Sequence, residues 1–429
     1  MPRITHRRTR LTADPSRVVI RPFHIAPEPR HARAPETARM RRIVEAVRAM
    51  DAETVQAELA LVDADFEQRH ARTRGVYMQR FARVMGDLDL ANALSEAQKQ
   101  LIGAYFCHEY SYAAAALMNP SVIPHFDQSD AGEGQLKFIL SMRAVGEGHI
   151  SSIAFREGVL MADGAMMLGP EPEFAVAMEQ ISPEPGCDAD RVVARRPAEV
   201  PLSGVVIFPF TRAQRNGLED LRMVRFEEDD GSITYLGTYT AYSGLAIASE
   251  LFRTQDFSTF EFIAMKGAAA QNKGMALFPR RIGGAYAVIG RQDGESLFFL
   301  QSDNLTRWEH GEILLKPQKP WELIQIGNCG SPVELDEGWL LLTHGVGAMR
   351  KYSIGAVLLD KRDPRIVLAR LSKPLLAPSD ESREGYVPNV VYTCGCLVHQ
   401  GLLFLPYGVA DSAVAFCTVN IEDLLSEMV

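Results

Sequence analysis

Glu219, Asp220 and Arg222 place two carboxylates and a guanidinium within four residues, in the stretch NGLEDLRMVRFEEDDGSITYLGTYTAY that runs from Asn216 to Tyr242. Residues of these types so close together can be a plain structural ion pair. They can also hold a carboxyl ready for proton transfer, which needs an acid whose surroundings set its charge. The flanking residues decide what carries them. Met223, Val224 and Phe226 lead into an acidic turn, Glu227 to Gly231, and Ile233 to Tyr242 is rich in Thr and Tyr, which favour strands. The stretch therefore predicts a hairpin with the charged group at the entrance of its first strand.

Written out, the group reads Gly217-Leu218-Glu219-Asp220-Leu221-Arg222. This order resembles the Gly-x-Glu-Asp-Pro-Arg signature of the family-130 glycoside hydrolases and phosphorylases, the mannoside phosphorylases and their β-mannosidase relatives. Leu221 stands where that family usually has proline. The resemblance continues through Asn119-Pro120-Ser121, Lys273 with Leu277-Phe278-Pro279, Gly338-Trp339 with His344-Gly345, Tyr352 to Ala356, and Tyr407-Gly408 with Asp411. It covers roughly residues 119–429. It implies a five-bladed β-propeller acting on β-mannoside oligosaccharides.

Composition sets wider limits. With 429 residues, 47% of them hydrophobic and 23% charged, the chain can bury a large core in one domain or two. A net charge of -9 argues against a general nucleic-acid surface. The opening MPRITHRRTR is basic, but Asp14, Pro15 and Arg17 interrupt any apolar run behind it, so we expect no translocation signal and a cytoplasmic protein. No run of about 18 apolar residues suggests a membrane span. Of six cysteines only Cys394 and Cys396 are close-set, a weak metal signal without a second pair, and buried free thiols are expected. No metal or nucleotide motif appears, so no cofactor is expected; inorganic phosphate is a co-substrate if the reaction is the phosphorolysis that the resemblance implies.

The elements that must position the charged group follow from periodicity. Residues 1–34 predict an extended arm. From Glu36 apolar residues recur at three and four, predicting one helix through Met50, a second from Ala52 to about His70 and a third from Arg74 to Leu88. Ser95 with Gln98 reads as a capping box opening a fourth helix to about Leu117. The apolar stripes of this helical region, residues 1–118, require a cover, and we expect a homo-oligomer. After Asn119 short runs such as Lys137 to Met142, Val205 to Phe208, Tyr286 to Ile289, Leu297 to Gln301, Trp339 to Thr343 and Leu402 to Pro406 predict strands. Thr254 to Phe260 and Ser302 to Trp308 echo each other 48 positions apart, a blade-sized period. Leu168 to Pro201 reads as an insertion or long loop. Two copies of the echo alone leave a propeller and a sandwich open; with the five blades that the resemblance implies, the fold class expected is an all-β five-bladed β-propeller over residues 119–429 with an N-terminal helical extension.

A propeller brings distant residues to one axial pocket. The resemblance implies Asp220 as the proton donor, acting through a hydroxyl of the bound mannose. Glu219, its neighbour on a strand, is expected to face away, and an ion pair supporting the loop is preferred to direct sugar binding. Phosphate matches are Lys273, Arg291, His344 and Tyr352, each a donor of the kind phosphate binds. Sugar matches are Asn119, Arg143 and Asp411. Trp321 and Trp339 can stack on a pyranose, although Trp339 also reads as a core residue. Inverting phosphorolysis needs one carboxylic acid, because phosphate attacks the anomeric carbon. Hydrolysis needs a second carboxylate as base, for which Glu147 and Glu384 are the spare candidates. Gln325 stands where the resemblance leads us to expect a phosphate-binding lysine, and a neutral amide does not replace a charged contact. Both acceptors therefore stay open, beside a non-catalytic carbohydrate-binding propeller.

Overall fold

The computed structural model describes residues 2–26, 37–88, 93–183 and 189–429. Glu36, Cys187 and residues 27–34 of the expected arm lie outside the described residues. The chain divides into two compact units.

The smaller unit, residues 15–112 with 173–177, is mainly helical. Helices Ala38–Ala49, Ala52–Phe66 and Thr73–Leu88 follow the expected stripes. The capping box opens helix Glu96–Tyr105: the Gln98 amide donates to Ser95 Oγ at 3.2 Å and the Ser95 amide to Gln98 Oε1 at 3.0 Å. That helix ends twelve residues short of the expected Leu117. Phe106 turns into the core, and Cys107–Ser111 becomes a strand paired antiparallel with Val18–Pro22. The stripes cover one another, since Val44, Val47, Val55, Phe81, Val84, Leu101 and Ile102 form one buried cluster. They do not by themselves call for a second subunit.

The larger unit holds residues 1–14, 113–172 and 178–429 and is a series of antiparallel meanders. Ala116–Pro124, Leu136–Val145 and Ser151–Leu160 form the first. The expected hairpin is Gly217–Glu227 with Ile233–Tyr242, extended by Ile247–Thr254 and Thr259–Ala264. The stretch read as an insertion supplies two further strands there: Arg191–Arg195 pairs with Thr259–Ala264, and Glu179–Ser182 pairs with Arg191–Arg195. Ala276–Leu277, Tyr286–Gly290, Leu297–Ser302 and Glu312–Leu315 form the next meander. Gln325–Asn328, Trp339–Val346, Tyr352–Leu359 and Val367–Arg370 follow. In the last, Val391–Tyr392, Leu402–Val409 and Ala413–Asn420 are joined by Ile4–Thr12, so part of the expected arm is an edge strand.

Alternating apolar residues on these strands interleave between successive sheets. Phe226 and Leu236 pack with Val288 and Leu300; Phe278 and Ile289 with Trp339 and Leu341; Leu342 and Ile354 with Leu403 and Leu405. Phe404 and Phe416 then pack with Phe138 and Leu140, returning from the last meander to the first. The polar ends of the first strands are left to converge on one pocket.

Candidate active site

Two strands turn a polar side chain into that pocket by the same device. The register slips between Met118 and Ser121, and again between Glu219 and Arg222. At each slip a residue sits in the left-handed region, Asn119 at φ 50° and Asp220 at φ 56°. A bulge adds one residue and re-aims its side chain, and Asn and Asp tolerate that backbone better than most residues. Leu221, in place of the family proline, is buried beside Gly237, so the bulge itself fixes the turn. Asn119 Nδ2 donates to Asp220 Oδ1 at 2.5 Å. Arg143, on Leu136–Val145, donates from Nη1 to Asp220 Oδ1 at 3.3 Å, from Nη2 to Glu219 Oε1 at 2.6 Å and from Nε to Ser151 Oγ at 2.8 Å. Glu219 does not face away. The broken alternation puts both carboxylates on Arg143, and for Glu219 the ion-pair reading holds.

Behind Asp220 lies a buried polar frame built on Arg222. Arg222 donates from Nη1 to the Asp220 carbonyl at 2.8 Å, from Nε to Asn328 Oδ1 at 3.1 Å and from Nη2 to the Tyr392 hydroxyl at 2.6 Å. Asn328 donates its amide to the carbonyls of Gly274 and Ile289. Its own carbonyl accepts from His344 Nδ1 at 3.1 Å. A buried charge-assisted network with every arm paired fixes its members in place.

Lys273, Arg291, His344, Tyr352 and Asp411 line the same pocket, together with Arg350 and Gln325. Lys273 lies in the loop after Ala268–Gln271, Arg291 follows Tyr286–Gly290, and Asp411 sits in the turn between Leu402–Val409 and Ala413–Asn420. Among the described residues Lys273, Arg291 and Arg350 form no salt bridge; the pocket's ion pairs run from Arg143 to Glu219 and Asp220. Arg291 Nε is buried without a partner. Glu147 and Glu384 are exposed and do not line the pocket. Neither do the two tryptophans: Trp339 is buried in the core, and Trp321 lies over Gly345 and Gly355. Asn328, Arg350 and Tyr392 carried no motif, whereas Arg222 was signalled as the last residue of the Gly217-to-Arg222 group.

The charges set the protonation of the acids. Burial pushes the Asp220 carboxyl up, but Arg143, Arg222, Lys273 and the Asn119 amide outweigh it and hold it at about 2. Glu219 is raised by burial despite Arg143. Asp411 is pushed up to about 6 by burial and by the nearby Asp220 charge. His344 is pulled down to about 3 by burial and by Arg291 and Arg222, so its ring is neutral. Among the described residues no cluster of three or more His, Cys, Asp or Glu side chains can hold a metal ion. The pocket thus places an ionised buried carboxylate, beside sugar-type hydrogen-bonding partners, near three cations, Lys273, Arg291 and Arg350, that form no salt bridge among the described residues.

Comparison with known proteins agrees. The chain is 31% identical over 229 residues to the beta-1,2-mannobiose phosphorylase of Listeria innocua, covering 52% of this chain and 63% of that one. It is 36% identical over 155 residues to the 1,2-beta-oligomannan phosphorylase of a Thermoanaerobacter species, covering 36% and 52%. These alignments span between about half and just under two thirds of the relatives' length. The fold matches the crystal structure of the Listeria innocua enzyme with beta-1,2-mannobiose at a TM-score of 0.52 and 22% identity, covering 73% of this chain and 92% of that one. Residues 202–428 match the family model described as beta-1,4-mannooligosaccharide phosphorylase, and the chain accordingly belongs to glycoside hydrolase family 130.

Proposed function

We propose that this protein cleaves the β-mannosidic bond of a mannoside oligosaccharide by inverting phosphorolysis, releasing mannose 1-phosphate. The observation that carries the reading is the cation group. Lys273, Arg291 and Arg350 share a pocket with Asp220 and form no salt bridge among the described residues, and a dianion is the ligand such a group suits. Asn119, Arg143 and Asp411 hold the sugar, Tyr352 and His344 complete the anion site, and Asp220 relays the proton through a mannose hydroxyl. Because Asp220 is held ionised by cations, arrival of the anion, which offsets their charge, favours its protonation. The named relatives are phosphorylases, which supports the same reading.

In this proposal the meanders are the blades of a five-bladed β-propeller over residues 119–429, with residues 1–118 as arm and helical region. A cytoplasmic location suits the free cysteines Cys107, Cys329, Cys394, Cys396 and Cys417. A homo-oligomer is still proposed, but now only from exposed apolar residues such as Leu61.

One observation favours a second reading. Gln325, not lysine, lies in the anion site at 3.4 Å from His344, and water is the nucleophile if phosphate is not held. Incubation with β-mannobiose decides: phosphate-dependent release of mannose 1-phosphate, lost in large part in Arg291→Ala, supports phosphorolysis. Mannose released at one rate with or without phosphate sinks it and establishes hydrolysis.

A further inference from the structure

His344 is held from every side. Its Nδ1 lies 3.1 Å from the Asn328 carbonyl oxygen, which only accepts, so Nδ1 carries the proton. Its Nε2 lies 3.3 Å from Arg291 Nη1, which only donates, and 3.4 Å from the Gln325 amide nitrogen. These partners leave one tautomer: protonated at Nδ1, with an Nε2 lone pair that accepts from both donors. The ring has no room to turn over or slide away. Tyr352 stacks on it at 5.9 Å and 13°, Tyr392 meets it edge-on at 5.0 Å, and the Gly327 backbone lies so close that a β-carbon there would come within 2.3 Å of the ring. Asn328 is itself fixed by Arg222 and by the carbonyls of Gly274 and Ile289. Burial and the neighbouring guanidinium groups keep the ring from taking a second proton.

We propose that His344 is a fixed hydrogen-bond acceptor in the anion site, so that the site selects an oxyanion still carrying a proton, hydrogen phosphate, over sulfate, which carries none at neutral pH. When the anion enters, Arg291 and the Gln325 amide turn their donors onto the charged oxygens and free Nε2. The P–OH of hydrogen phosphate then donates to that lone pair. A sulfate oxygen meets the lone pair with no hydrogen between, losing one bond and facing repulsion in a buried site. Loss of one such bond corresponds to roughly 10- to 100-fold in affinity.

This inference rests on the reading of the pocket as a phosphorolysis site, and the test separates the two. Phosphate-dependent release of mannose 1-phosphate from β-mannobiose is measured with the wild-type protein at constant ionic strength, with sulfate as competitor. Sulfate should inhibit with an affinity at least about tenfold weaker than that of phosphate. Equal affinity overturns the inference and leaves phosphorolysis standing. Absence of phosphate dependence overturns phosphorolysis and the inference with it. In His344→Ala, which removes the acceptor, the preference should collapse towards unity; an unchanged preference assigns it elsewhere and overturns the proposal. Should that variant misfold, the ring nitrogens of the phosphate-bound wild type, read by ¹⁵N NMR, decide: unprotonated Nε2 supports the proposal and protonated Nε2 refutes it.

Discussion

Replacing Asp411 by asparagine should stabilise the fold, and only above a defined pH. Folding moves this carboxyl from the ordinary value of 3.8 up to about 6, by burial and by the charge of Asp220. A group whose folded value is raised favours the fold when protonated. That contribution is complete below about 3.8 and is lost as pH rises through about 6. Once ionised in both states, Asp411 disfavours the fold by up to about 3 kcal/mol. Part of the side chain still faces the open pocket, so we halve this to about 1.5 kcal/mol. Asparagine copies the shape of the protonated form without the charge. At pH 8 Asp411→Asn should therefore gain about 1.5 kcal/mol in urea unfolding and, for a domain of this size, about 2 °C in Tm. At pH 3.5 the two proteins should match. Turnover should fall at both pH values, because Asp411 is assigned to the sugar. A gain that is the same at pH 3.5 and pH 8, or a loss at pH 8, would refute the electrostatic reasoning.

Asp220→Asn should keep its circular dichroism spectrum and lose at least about 10³-fold in kcat, the scale of a lost acid catalyst; near-normal turnover would remove Asp220 from the mechanism. Gly327→Ala should disable the anion site without touching a ligand, since the new methyl must displace the His344 ring. The expected outcome is a phosphate KM raised at least about tenfold with the mannobiose KM little changed, the split that loss of one anion contact produces.

Much of the fold could be read from local chemistry. The Thr- and Tyr-rich run to Tyr242 pairs as a hairpin, and the three-and-four spacing of Val44, Val47, Val55 and Leu59 gives helices, because in both the signal lies within one element. The reading failed where a partner far away decides. Ile4–Thr12 is largely exposed and rich in arginine, and its strand character comes from backbone bonds to Ala413–Asn420. The fourth helix was read too long because the aromatic run after Tyr105 continues an apolar pattern that in fact pairs with Val18–Pro22. In the site, Asp220 and the phosphate-type residues were found through motifs. Asn328 and Tyr392 were not, because a single Asn or Tyr has no spacing to betray it. Both meet Arg222 only across long separations, 106 and 170 positions.

The pairing of Ile4–Thr12 with Ala413–Asn420 has a bearing on how the molecule is made. The strand that leads out of the Asp411 turn is flanked on its other side by residues synthesised some four hundred positions earlier. On a ribosome the earlier segment must wait, with its hydrogen-bonding edge open, until nearly the whole chain has emerged. Such a long-range closure is slow, and the unpaired edge is open to pairing with other chains in the meantime. Completion of the pocket that Asp411 lines is then a late event in biogenesis. A bulky fusion placed against Ile4 should hinder it more than one of the same size inserted at the exposed turn around Gly231.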